Sequence, residues 1–111
     1  MSLTHEVIGT GDLVSLSGRI VMANAAELRE NIRRIIAKGS GRMLLDLSAV
    51  DFIDSSGLSV LISAHEMACE KNGFVMLSSP GPKIRALIEL TRLHEMFEIF
   101  EDKNAACVRF N

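Results

Sequence analysis

Several chemistries lack the residues they need. Cysteine is scarce: Cys69 and Cys107 are the only two in 111 residues, too far apart for a Cys-x-x-Cys motif. With three scattered histidines they offer no metal-ligand spacing, so neither a metal nor a cofactor is expected. Both thiols are expected to be reduced and mostly buried. Proline is scarce too. Pro80 and Pro82 flank Gly81, which marks a turn and not a domain boundary. No basic stripe is present. The formal net charge is −2, and the cations are interleaved with acids, which argues against direct binding of nucleic acid. Apolar runs such as Val60-Leu61-Ile62 fall far short of the roughly 20 residues that cross a bilayer, so no membrane insertion is expected. The opening Met1-Ser2-Leu3-Thr4-His5-Glu6 has no basic region leading into an apolar stretch. No signal peptide is therefore expected, and the expected location is the cytoplasm.

Catalytic signatures are missing as well. No Gly-x-x-x-x-Gly-Lys loop exists to cradle a nucleotide, and Gly39-Ser40-Gly41 follows a helical segment, the wrong context for one. Ser55 and Ser56 do not lie in a Gly-x-Ser-x-Gly elbow. His65 falls on the apolar stripe of its own helix and reads as a half-buried structural histidine, while His5 and His94 read as surface residues. A binding module is expected, and not an enzyme.

What is present is an ordinary globular composition, 48% hydrophobic and 23% charged, over a length that suits one domain spanning residues 1–111. Two short strands are expected between Thr4 and Ser17 around Gly9-Thr10-Gly11-Asp12, with Gly18 ending the pattern. From Asn24 to Lys38 the period turns helical, with Leu28, Ile32, Ile35 and Ile36 on one face and Asn24 as the N-cap. Met43–Leu47 reads as a buried strand, with Phe52 and Ile53 in a connection or an extension of it. A helix from Ser55 or Ser56 to Lys71 carries an apolar stripe of Leu58, Leu61, Ile62, His65 and Cys69, and Asn72-Gly73 closes it. Phe74–Leu77 is a strand, and a third helix shows Ile84, Leu87 and Ile88 on one face. Arg85 and Arg92 are read as solvated cations of that region. Glu98–Phe100 is expected as a last strand and Lys103–Val108 as a terminal helix. Strands alternating with amphipathic helices imply crossovers and a partly parallel, mixed sheet.

The informative run is Asp46-Leu47-Ser48-Ala49-Val50-Asp51-Phe52-Ile53-Asp54-Ser55-Ser56-Gly57-Leu58, which leaves a buried strand and enters a helix. Ser and Asp at such a junction satisfy orphan N–H groups, so plain capping is one reading. A second reading starts from the same place. A phosphoryl group on a serine at a helix start meets a partial positive charge and free donors, and adds roughly −1.5 to −2 charges without melting the helix. A partner surface closed over it would have to desolvate that charge. A hundredfold loss of affinity needs only about 2.7 kcal/mol.

The run Asp54-Ser55-Ser56-Gly57-Leu58, following Leu44-Leu45-Asp46-Leu47-Ser48 and Val50-Asp51-Phe52-Ile53, resembles the signature of STAS domains. More closely, it is similar to bacterial anti-sigma factor antagonists. The similarity extends over nearly the whole chain in element order, including Gly18, Asn72-Gly73 and a proline after the next strand. It implies a mixed sheet with helices packed mainly on one face. It also implies Ser55 as the residue phosphorylated by a partner that is both anti-sigma factor and serine kinase. The unmodified protein would bind that partner, the modified one would be released, and a phosphatase would reset it. Asp54, Ser56 and Gly57 would form the docking edge, with Ser56 shaping the helix start. Met22, ahead of the first helix, is a further candidate for the partner surface. The chain departs from the pattern at Gly18-Arg19-Ile20-Val21, where many antagonists carry Gly-Glu-Leu-Asp or similar. Arg19 thus stands near an expected acid, and the partner's identity is left open. The alternative is a constitutive STAS scaffold or transporter-associated subunit in which Ser55 is a cap only.

Overall fold

The computed structural model describes residues 1–110. Strands β1 (Ser2–Ile8) and β2 (Gly11–Ile20) form a hairpin. The chain continues through α1 (Met22–Lys38), β3 (Arg42–Ile53), α2 (Ser55–Glu70), β4 (Phe74–Ser78), α3 (Pro82–Leu90), β5 (Glu98–Phe100) and α4 (Lys103–Cys107). The five strands lie side by side in chain order. β1 and β2 are antiparallel, and every later pairing is parallel. A right-handed crossover between neighbouring parallel strands always places its helix on the same side when the chain advances in one direction. α1, α2 and α3 accordingly share one face, and the expected mixed sheet with helices mainly on one face is what is found.

The core follows from the alternation of side chains along each strand. Val14, Leu16 and Ile20 of β2, Leu45 and Leu47 of β3, and Val75 and Leu77 of β4 point towards the three helices. They meet Leu28, Ile32 and Ile36 of α1, Val60, Leu61, Ala64 and Ala68 of α2, and Ile84 and Ile88 of α3. The intervening Leu13, Leu44 and Met76 face the other way and are covered by Ala106 of α4 and by Phe110 in the 3-10 turn after it. The stretch of β3 from Met43 to Leu47 is buried because both of its faces are covered.

Several local expectations change. Gly18 does not end β2. It sits at φ 84° where the β2–β3 register shifts, and the strand runs on to Ile20. Asn24 is not the N-cap of α1, which begins at Met22 after an extended Val21. Its side chain instead accepts from the Val21 N–H at 3.0 Å and donates to the Arg19 carbonyl at 2.9 Å. β3 continues through the expected connection as far as Ile53. The fully buried face of α2 is Gly57, Val60, Leu61, Ala64 and Ala68; of the expected stripe Leu61 is buried, and Leu58 and Ile62 pack against the core from its flanks. Leu58, Ile62 and His65 are half-buried at its flanks and Cys69 is exposed, which corrects the expectation of two mostly buried thiols. His65 is half-buried, edge-on to Phe97 with ring centres 5.6 Å apart. The third helix, the Glu98–Phe100 strand and the helix after Lys103 form where expected. No helix among the described residues is long and apolar enough to cross a membrane.

Candidate functional site

β2 and β3 run parallel, so their C-terminal ends lie together, and each leads into a helix within two residues. The starts of α1 and α2 are thereby brought side by side, although 32 residues separate Met22 from Asp54. A single carboxylate joins them. Asp54 is the N-cap of α2, and its Oδ1 accepts from the Gly57 N–H at 3.0 Å. Its Oδ2 accepts from the N–H of Met22, the first residue of α1, also at 3.0 Å. The Asp54 N–H donates to the Ile20 carbonyl at 3.1 Å, which ties the junction to the end of β2. The Gly57 N–H is the main reason the Asp54 carboxyl is held below the usual carboxylate range. The Met22 and Ser56 N–H groups and the positive charge of Arg19 push the same way, against partial desolvation.

Ser55 follows as the first residue of α2 and is exposed. Its carbonyl accepts from the Ser59 hydroxyl at 3.1 Å. Asp54, and not Ser55, makes the cap, so the Ser55 hydroxyl is left for other chemistry. Shaping of the helix start likewise falls to Asp54 and not to the half-buried Ser56.

Gly57, expected in the docking edge, is buried beneath the surface. A Cβ at this position would stand 2.6 Å from the Ile20 carbonyl oxygen and 2.7 Å from Cγ2 of Ile53. Glycine is required here because α2 passes this close to the ends of β2 and β3. Its contribution to the site is to set where Ser55 emerges.

Arg19 and Met22 do reach the surface around Ser55. Met22 is 78% exposed, unusual for a side chain of this size and apolarity. Arg19 is paired in register with Phe52, and its guanidinium carbon lies 4.6 Å from the centre of the Phe52 ring. Phe52 is itself 42% exposed and was not among the expected site residues. Its signal in the sequence is the three-residue step from Val50 to Ile53, both buried, which leaves Phe52 outside the core. Among the described residues, no group of three or more His, Cys, Asp or Glu is arranged to hold a metal ion.

The arrangement is therefore an α/β fold presenting an exposed serine on a firmly held helix start, with Arg19, Met22 and Phe52 also exposed on the adjoining ends of β2, α1 and β3. The chain belongs to the STAS domain family, whose model matches residues 5–106. Over 88 residues it is 32% identical to the anti-sigma-F factor antagonist RsfB of Mycobacterium tuberculosis, spanning 79% of this chain and 71% of that protein. A crystal structure of an anti-sigma factor antagonist from Mycobacterium paratuberculosis superposes with a TM-score of 0.88 at 29% identity, covering 98% of this chain and 92% of that one. The fold is also that of SpoIIAA of Bacillus. Its unphosphorylated form superposes with a TM-score of 0.74 at 17% identity, covering 97% of this chain and 96% of that one. Its phosphorylated form gives 0.73, again at 17% identity, with 95% and 96% covered.

Proposed function

We propose that this protein is an anti-sigma factor antagonist whose docking is switched by phosphorylation at Ser55. In this reading it works in the cytoplasm. The unmodified chain binds an anti-sigma factor that is also a serine kinase, through the surface made by Arg19, Met22, Phe52 and the Ser55 hydroxyl. The kinase transfers the γ-phosphoryl group of ATP to Ser55 Oγ, ADP leaves, and the complex dissociates. A phosphatase restores the hydroxyl.

The observation that supports this most directly is the division of labour at the junction. Asp54 supplies the cap and Ser55 is exposed one residue later. A phosphate can be added there without breaking a hydrogen bond that holds the fold. The similarity to RsfB, itself named as an antagonist, and the fold shared with SpoIIAA, which has been solved in both phosphorylation states, support the same reading. Nearness of the phosphate to a helix N-terminus lets the fold persist while the surface potential becomes much more negative locally. The complex weakens because a phosphate of charge about −1.5 to −2 would have to be desolvated in the interface.

The test is incubation with the cognate anti-sigma kinase and ATP, followed by intact-mass measurement and peptide mapping. One phosphate on Ser55, absent from Ser55→Ala, is the expected result. An unmodified Ser55 in the presence of a kinase that binds the chain overturns the switch.

A further inference from the structure

We infer that Arg19 is the internal receptor for a phosphate on Ser55: on modification its guanidinium leaves the Phe52 ring and pairs with the phosphoserine. This deepens the reading of Ser55 as a phosphorylation site and assigns the residue that responds to the modification within the chain itself.

Placement comes first. The Ile20 carbonyl and the Asp54 N–H are joined at 3.1 Å. Arg19 precedes the one residue and Ser55 follows the other. Each is thus the chain neighbour of a residue joined by that hydrogen bond, with consecutive Cα atoms about 3.8 Å apart. The Arg19 charge is already among the influences felt by the Asp54 carboxylate.

Availability comes second. The Arg19 backbone is committed, since its carbonyl accepts from Asn24. The guanidinium is not among the ion pairs of the described residues, and it lies over the face of Phe52, 4.6 Å from the ring centre. A cation over an exposed ring is held weakly. A phosphate offers three acceptor oxygens and the bidentate geometry that a guanidinium fits best. The phosphate therefore wins the competition for Arg19.

Need comes third. A phosphate on Ser55 stands beside the Asp54 carboxylate, which cannot turn away because both its oxygens hold helix N–H groups. Two anions on adjacent residues repel, and a nearby cation relieves that repulsion. Asp51 adds a further negative charge on the same stretch of β3. The rival cation is Lys83 of α3, which lines a hollow with Asp51 and Phe52. Arg19 is favoured over it by its tie to Ile20 and by its fork of donors.

Two changes then follow from one modification. The docking surface gains a phosphate and loses the cation that lay over Phe52, so a partner carboxylate facing Arg19 loses its counter-charge at the same moment.

The experiment uses the full chain with phosphoserine installed at position 55 during translation, so no kinase is needed. The 31P resonance is followed against pH in the wild type and in Arg19→Ala and Lys83→Ala variants, each checked for the wild-type fold by its amide spectrum. The second ionisation of phosphoserine, normally near 6, is expected to lie about half a pH unit higher in Arg19→Ala than in the wild type, and unchanged in Lys83→Ala. The Phe52 ring protons are expected to shift on modification in the wild type only. Superimposable titrations for all three chains, or a shift in Lys83→Ala alone, overturn the assignment. A kinase that fails to modify Ser55 would remove the proposed switch yet leave this measurement intact, so the two failures are distinguishable.

Discussion

The carboxylate of Asp54 holds the N–H of Met22 at 3.0 Å with one oxygen while the other caps its own helix through Gly57. One side chain thus closes the starts of α1 and α2 together. Asp54→Ala is expected to lower the thermal midpoint more than Asp54→Asn, because asparagine keeps an acceptor for one N–H and alanine keeps none. The pH dependence follows in sign. The Asp54 carboxyl titrates lower in the fold than in the unfolded chain, so its contribution is present in full above the ordinary carboxylate value of about 3.9 and is lost as pH falls through the depressed one. The stability gap between wild type and Asp54→Asn should therefore be constant near neutrality and close in acid. A gap independent of pH down to the acid transition would show that the carboxylate charge contributes nothing.

Gly57→Ala sets two effects against each other. Alanine gains about 1 kcal/mol of helix propensity over glycine. The new methyl, however, would stand 2.6 Å from the Ile20 carbonyl oxygen, which is backbone and cannot rotate away. The clash is expected to win, with a net destabilisation of about 1–3 kcal/mol by denaturant unfolding. Since α2 must then lift from the sheet, the amide resonances of Asp54, Ser55 and Ser56 should move most. A neutral or stabilising outcome would mean that the approach of α2 to Ile20 is looser than described.

These two residues also show what was legible in the sequence. The strand-to-helix junction at Ser55 was readable because a run of strand-forming residues gives way to a capping aspartate. The mixed sheet was readable from the alternation of strands with helical periods. The apolar stripe of α2 is legible at Leu58, Leu61 and Ile62, which pack on the core, but not at Cys69, which is exposed. The centre of the buried face also holds Gly57, Ala64 and Ala68, whose small size permits close approach and whose weak hydrophobicity gives little periodic signal. The bond from Asp54 to Met22 was not readable at all. Its donor is a main-chain N–H, which every residue but proline carries, and it comes from another helix. Gly18 looks like a stop in the sequence because glycine usually punctuates, whereas in the fold its positive φ serves a bulge within a longer strand.

Lys71 closes the opposite end of α1. Its ammonium donates to the carbonyls of Ile36, Ala37 and Gly39 at 3.0, 3.1 and 2.6 Å. Those carbonyls are the orphan acceptors of the last turn, where a cation also meets the negative end of the helix dipole. Lys71→Met, which keeps most of the stem, is expected to cost about 1 kcal/mol and to raise hydrogen exchange selectively in the last turn of α1. Lys71→Arg should recover part of the loss. Because Lys71 lies at the end of α2 away from Ser55, phosphorylation and partner binding should be unchanged in Lys71→Met.

The exposed side chains of Met22 and Phe52 give the sharpest test of docking. Met22→Ala removes surface that the fold leaves 78% exposed and should leave the unfolding midpoint within error of wild type, whereas Phe52→Ala removes a ring that is more than half covered and should lower the midpoint slightly. If these side chains belong to the partner surface, each change should weaken binding to the anti-sigma factor by about tenfold, equivalent to about 1.4 kcal/mol. Ser55→Ala should bind as well as wild type and resist release by ATP, since only the site of modification is lost. Ser55→Asp should weaken binding by less than true phosphorylation, because it carries one charge in place of about −1.5 to −2 and lacks the third acceptor oxygen. Titration calorimetry against the same partner ranks all five chains. Wild-type affinity in both Met22→Ala and Phe52→Ala would move the docking surface away from Ser55, and with it the physical link between modification and release.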